Sequence, residues 1–245
     1  MKKTFIALNF FLFFSFSASA QYFTHDIGVL VGATVFQTDY VGGNNFNNGI
    51  KNSGVSVAIV HYLGFYRKDF LIKSEINFIS KTNLEHTGEW ALGTSELAQK
   101  LRAMRGSISM VNLGISLEYY LKFLDEYFFP YNLGELNPFF TFGIGYSFYK
   151  NDIVSDLGDW RQDITVLPQK YRVPGALAVG KGGAFALSIG VGTRYRLTEK
   201  LDLTTQLNGQ LYFTDAIDGL QANVIENRNN ERFLSFQFGI VYHLN

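Results

Sequence analysis

Eight segments of this chain, most of them ten or more residues long, alternate large apolar side chains with small or polar ones. A period of two places alternate residues on opposite faces of a strand, so each segment reads as a long β-strand with one apolar face. In Asp26–Phe36, Ile27, Val29, Val31, Ala33 and Val35 oppose Gly28, Gly32 and Thr34. Gly54–Leu63 sets Val55, Val57 and Ile59 against Ser56 and Ala58, and Phe70–Lys81 sets Ile72, Ile76 and Phe78 against Lys73, Glu75, Asn77 and Lys81. Ser107–Leu121, Phe139–Tyr149, Ala184–Leu197, Leu201–Phe213 and Phe233–Leu244 repeat the pattern. In the last of them Leu234, Phe236, Phe238, Ile240 and Tyr242 oppose Ser235, Gln237, Gly239 and His243.

A water-soluble sandwich also alternates, but it rarely repeats strands this long, and its polar face carries more Lys and Glu. Here the polar face is largely Gly, Ser, Ala and Asn, which suits the crowded interior of a narrow barrel, while the large apolar face suits lipid. In lipid every backbone polar group needs an internal partner, so the strands must close on themselves. The fold class expected is therefore all-β: a closed antiparallel transmembrane β-barrel of about eight strands. Beyond the first 20 residues no run of ~18 apolar residues exists, which excludes a helical membrane protein.

The connections give an independent check. With both chain ends on the periplasmic side, residues 37–53, 84–106, 150–183 and 214–232 are outer connections, and all are long and polar. Residues 64–69 and 198–200 are inner ones, and both are short, as the barrel asymmetry requires. The remaining inner connection, 122–138, is long and breaks the rule.

Residues 1–20 read as a signal peptide, leaving 21–245 as one barrel domain. Lys2 and Lys3 form a basic start, Phe5–Phe16 an apolar stretch, and Ala18-Ser19-Ala20 a small-x-small cleavage site before Gln21. A transmembrane helix is the alternative, but the apolar run is short for it. Removal of the leader takes two lysines from a neutral chain, leaving a net charge of −2 that offers nothing to nucleic acid. There is no cysteine, so a lipid anchor, a disulfide framework and a thiol nucleophile are excluded. The expected address is the bacterial outer membrane, with its lipid as surroundings.

An eight-stranded barrel is just wide enough to be filled by side chains. Lys73, Glu75, Glu118, Arg194, Arg196 and Asp202 fall on inward positions. Buried charges must pair, so these six are expected to form a plug of ion pairs. A narrow gated ion path is the alternative.

Asp26-Ile27-Gly28, then Gly32, then Thr38-Asp39-Tyr40 resembles the opening of small Bacteroidetes outer-membrane barrels, the PorG-like family associated with type IX secretion. That resemblance implies a barrel that tethers periplasmic components of a secretion or gliding machine to the outer membrane. The other reading is a stand-alone OmpX/OmpA-like surface barrel for adhesion or membrane integrity.

Features pointing to other chemistry are weak. No catalytic residue, cofactor, metal or small-molecule substrate is expected. Of the four histidines, His61 lies on the lipid-facing parity with no Ser and acid near it in the chain. Glu85-His86 with Glu89 could touch a metal, but reads better as a solvated loop. Gly180-Lys181-Gly182-Gly183 lacks the rest of a phosphate-binding loop and reads as a loop re-entering the sheet.

Two connections stand out. From Thr94 to Met104, the i, i+4, i+7 spacing of Leu97, Leu101 and Met104 predicts a short amphipathic helix, with Thr94 as N-cap and Glu96 in its first turn. It either covers its own loop or contacts another protein. In 122–138, Phe123, Tyr127, Phe128, Phe129 and Tyr131 are too apolar for a solvated turn. They tuck in, dip into the membrane interface or meet a periplasmic or lipoprotein partner.

Overall fold

The computed structural model describes residues 23–41, 49–65, 69–121, 133–221 and 230–244. The leader and the apolar residues Phe123, Tyr127, Phe128, Phe129 and Tyr131 lie outside them. Eight antiparallel strands form one closed barrel in sequence order. They are β1 (Phe23–Gln37), β2 (Ser53–Phe65), β3 (Phe70–Glu85), β4 (Met104–Tyr120), β5 (Leu136–Ser155), β6 (Gly180–Thr198), β7 (Leu201–Tyr212) and β8 (Arg232–His243). Closure comes from β1 pairing β8, with Asp26 opposite His243 and Gln37 opposite Arg232.

The wall is inverted relative to a soluble protein. Ile59, Ile115, Phe142, Ile144, Phe185, Ile189 and Phe236 each expose about half or more of their surface, whereas Lys73, Glu118, Arg194 and Asp202 are buried. Only lipid makes that distribution stable, so the belt is the membrane-facing surface of a transmembrane barrel.

Several strands run further than alternation indicates. β5 has 20 residues and β6 has 19, against the ~9–11 that cross a bilayer. Residues 150–155 and 180–183, expected in a connection, continue the ladder. Above the lipid the outward positions turn polar, as at Lys150 and Asp152, so the apolar-out signature stops while the hydrogen bonds do not. The Gly180-Lys181-Gly182-Gly183 run is thus the opening of β6, not a loop. A Cβ on Gly182 would collide with the Tyr149 ring, and one on Gly183 with the Tyr146 hydroxyl, so both rings pack where only glycine leaves room.

A register shift between Ile79 and Thr82 corrects another expectation. The added residue resets the parity, so Ser80 and Lys81 both lie exposed while Thr82 and Leu84 point inward. Lys81, read as inward from alternation, is on the outer wall.

The long connections fold into the barrel mouth. Tyr40, Leu101, Leu167, Tyr171, Ala176, Ile217 and Leu220 join Phe36, Ile79, Met110, Tyr212 and Phe233 of the walls in one apolar cluster. A second cluster, Leu30, Ala58, Val60, Tyr62, Leu71, Tyr120, Phe139 and Val241, lies toward the chain termini. Two helices sit in the β3–β4 connection: α1 (Glu89–Leu92) and α2 (Glu96–Ala103). The N-cap of α2 is Ser95, whose Oγ accepts from the Ala98 N–H at 3.2 Å, one residue beyond the expected Thr94. Its covered face is Ala98, Leu101 and Ala103, while Leu97 is exposed and Met104 already begins β4. The Leu97–Leu101–Met104 stripe is therefore not one helix face.

Candidate functional site

Alternation aims inward residues from the strands at one another, and near the terminal end of the lumen these carry charge. Lys73 Nζ lies 3.2 Å from Glu75 and 3.6 Å from Glu118. Arg194 lies 3.5 Å from both Asp26 and Glu118 and 4.0 Å from Asp202. Arg196 Nε meets Asp202 at 2.5 Å. All six charged residues read from the sequence are brought together.

Two further members escape a sequence reading confined to Lys, Arg, Asp and Glu in strand interiors. His243 bridges Asp26 at 2.8 Å and Asp202 at 3.0 Å. Asp26 and His243 sit at strand ends, but they share the parity of Gly28 and Gln237, and closure places them opposite each other. Four carboxylates thus face Lys73, Arg194, Arg196 and the His243 imidazole. The Arg194 guanidinium also lies 4.0 Å over Tyr62 and 5.5 Å from the Tyr120 ring, and the Tyr120 hydroxyl donates to Glu118 at 2.8 Å.

Amides extend the layer across the lumen. Lys73 donates to Gln206 at 3.0 Å, Gln206 to Gln237 at 2.7 Å, and Gln237 to Ser56 at 3.4 Å. A polar cavity of about 30 Å³, bordered by Lys73, Glu75, Asn112, Ser116, Ser147 and Asn208, lies within the barrel. That is room for about two or three waters. The apolar cluster at the long-connection mouth forms a second obstruction.

The mouth holds a carboxyl pair that sequence patterning misses, because its members lie in connections. Asp218 and Glu231 are both buried. Asp218 Oδ2 accepts from the Asp39 N–H at 3.1 Å and Oδ1 from the Leu220 N–H at 2.8 Å, while Glu231 Oε1 accepts from the Asp218 N–H at 2.9 Å. The pair therefore ties the first outer connection to the last. Burial pushes the Asp218 carboxyl up to about 7, and burial together with the Asp218 charge holds Glu231 well above the carboxylate range. Burial raises Asp215 to about 6. Asp39, Asp215, Tyr40 and Tyr149 also face the pair.

A raised folded pKa means that the folded cap binds protons the open one does not. Its stabilisation is full below the unfolded carboxylate value of about 4 and is lost as pH rises through about 7. The protection factors of the Asp39, Asp218 and Leu220 amides, taken relative to their intrinsic exchange, should therefore fall between about pH 5 and about pH 9. The variant Asp218→Asn with Glu231→Gln should flatten that dependence. Protection that rises with pH would contradict the sign.

His86 is no solvated-loop residue: it lies tilted against Tyr40 at 4.5 Å and stacks with Tyr171 at 6.2 Å, and burial followed by the Lys170 charge pushes its pKa down to about 3. Glu85 and Glu89 are exposed, and no group of three metal-ligating side chains occurs among the described residues. His61 faces outward, opposite Ser74 in the ladder, with its Nε2 3.1 Å from His25 Nδ1. Asp26, next to His25 in the chain, points into the lumen, so that carboxylate does not orient the pair from the outer wall.

No family model matches the chain, and no curated protein does. Solved structures of similar fold do exist. Neisserial surface protein A is 10% identical over 90% of this chain and 96% of its own, with a TM-score of 0.45. Ail, the attachment invasion locus protein of Yersinia pestis, is 9% identical over 91% of this chain and 100% of its own, also at 0.45. A major outer membrane protein from Thermus thermophilus is 15% identical over 90% of this chain and 99% of its own, at 0.47. The likeness is one of fold.

Proposed function

We propose that this chain is a non-enzymatic outer-membrane barrel with a sealed lumen, acting as a structural or adaptor protein through its rims. The observation that carries the reading is the lumen layer joining Lys73, Glu75, Glu118, Arg194, Arg196 and Asp202 to Asp26 and His243. A barrel closed in this way moves no solute, so its work falls to surfaces at its two ends. The periplasmic rim supports anchoring of a periplasmic or lipoprotein partner, because Phe123, Tyr127, Phe128, Phe129 and Tyr131 are an apolar run between two strands. Tethering of a type IX secretion or gliding component is the specific form that the PorG-like opening supports.

A stand-alone surface role for adhesion or membrane integrity is favoured by one observation at the opposite rim. Trp90 and Leu92 of α1 are each 77% exposed. Affinity purification in mild detergent separates the two. Replacing Tyr127, Phe128 and Phe129 by Ser should strip co-purifying periplasmic proteins, while Trp90→Ser with Leu92→Ser leaves them. If the first variant retains every partner, the adaptor reading fails.

A further inference from the structure

We infer that the outer wall near the long-connection rim carries a binding site for an anionic, phosphate-bearing lipid of the outer leaflet. The inference rests on the outer-membrane reading but concerns a different surface from the lumen and the partner rims.

Three lysines crowd one arc of the wall. Lys150 of β5 and Lys181 of β6 are direct partners in the ladder, and both are exposed. Ser109 of β4 is the other neighbour of Lys150. Beyond it, the β3 bulge between Ile79 and Thr82 turns Lys81 outward. Like charges placed directly opposite in a sheet destabilise it unless an anion lies between them. The protein does not supply that anion: none of the three lysines pairs with a carboxylate among the described residues. Two acids of the same rim are already engaged, Asp152 by Arg161 at 2.9 Å and Asp156 by Arg105 at 2.7 Å.

What lies beside the lysines selects the occupant. A groove of about 470 Å³ runs along the wall, bordered by Val55, Val57, Phe78, Val111 and Phe148, with Lys150 and Lys181 among its lining residues. It is continuous with the lipid-facing belt. A phosphate at the lysines would leave attached acyl chains lying in the groove, and a headgroup without chains would leave the groove unused. A bulge is a defined feature that re-aims a side chain, and here it adds the third cation to the arc.

Native mass spectrometry of the full chain, purified in a neutral detergent, tests the site with diphosphoryl lipid A, phosphatidylethanolamine and inorganic phosphate as probes. Lipid A should be retained in preference to phosphatidylethanolamine. Each Lys→Gln change should weaken it roughly fivefold, and Lys81→Gln, Lys150→Gln and Lys181→Gln together on the order of a hundredfold. Lys150→Arg with Lys181→Arg should keep binding, which separates charge from folding, and Phe148→Gln should weaken it with the lysines intact. Unchanged retention by the triple glutamine variant overturns the site. So does displacement of lipid A by inorganic phosphate alone, which marks a free-anion site. Failure of the wild-type chain to float with lipid vesicles would instead remove the membrane reading itself.

Discussion

Replacing Arg194 by Met should cost about 3–5 kcal/mol, measured by urea unfolding of the barrel in detergent or lipid vesicles. Arg194 is 2% exposed and lies between Asp26, Glu118 and Asp202. Met fills similar volume but leaves three carboxylates facing one another with only Lys73, Arg196 and His243 to hold them. Glu118→Gln should also destabilise, since Glu118 serves Lys73, Arg194 and the Tyr120 hydroxyl at once. The double variant should then lose less than the sum, with a coupling of about 0.5–3 kcal/mol, because each change removes part of what the other leaves unpaired. The size of the effect is diagnostic. Ion pairs open to water contribute only about 0–1 kcal/mol. A cost in that range would mean a lumen wet enough to screen its charges, and the sealed-lumen reading would lose its basis.

The eight strands were legible because a membrane barrel writes its two faces into one simple alternation. Lipid demands Ile59, Phe142 and Phe236 on one side, and the narrow interior admits Gly143, Ser147 and Gly190 on the other. The positions of Lys73, Glu75, Glu118, Arg194, Arg196 and Asp202 follow from that parity alone.

Three things did not follow from it. Where β5 and β6 rise above the lipid, outward residues become polar and the signal vanishes, although the ladder continues to Ser155 and begins at Gly180. The bulge after Ile79 leaves no mark on composition, yet it moves Lys81 from lumen to wall. The cap is built from connections, where no periodicity exists. His86, Tyr40, Asp218 and Glu231 became neighbours only through the closed topology. Asp26 and His243 form an intermediate case, since their parity was readable but their meeting depended on β1 pairing β8.

Closure of the lumen has two separate sources. Toward the termini, Arg194 is clamped between carboxylates and the rings of Tyr62 and Tyr120. Toward the long connections, Tyr171, Leu167 and Ile217 pack against Phe36, Met110, Tyr212 and Phe233. Loss of one obstruction leaves the other, so even an Arg194→Met barrel that folds should remain closed. Single-channel recording of the purified chain in planar bilayers tests this most directly. A sealed barrel inserts without producing current steps above the bare bilayer, and stable steps of uniform amplitude from pure protein would contradict it.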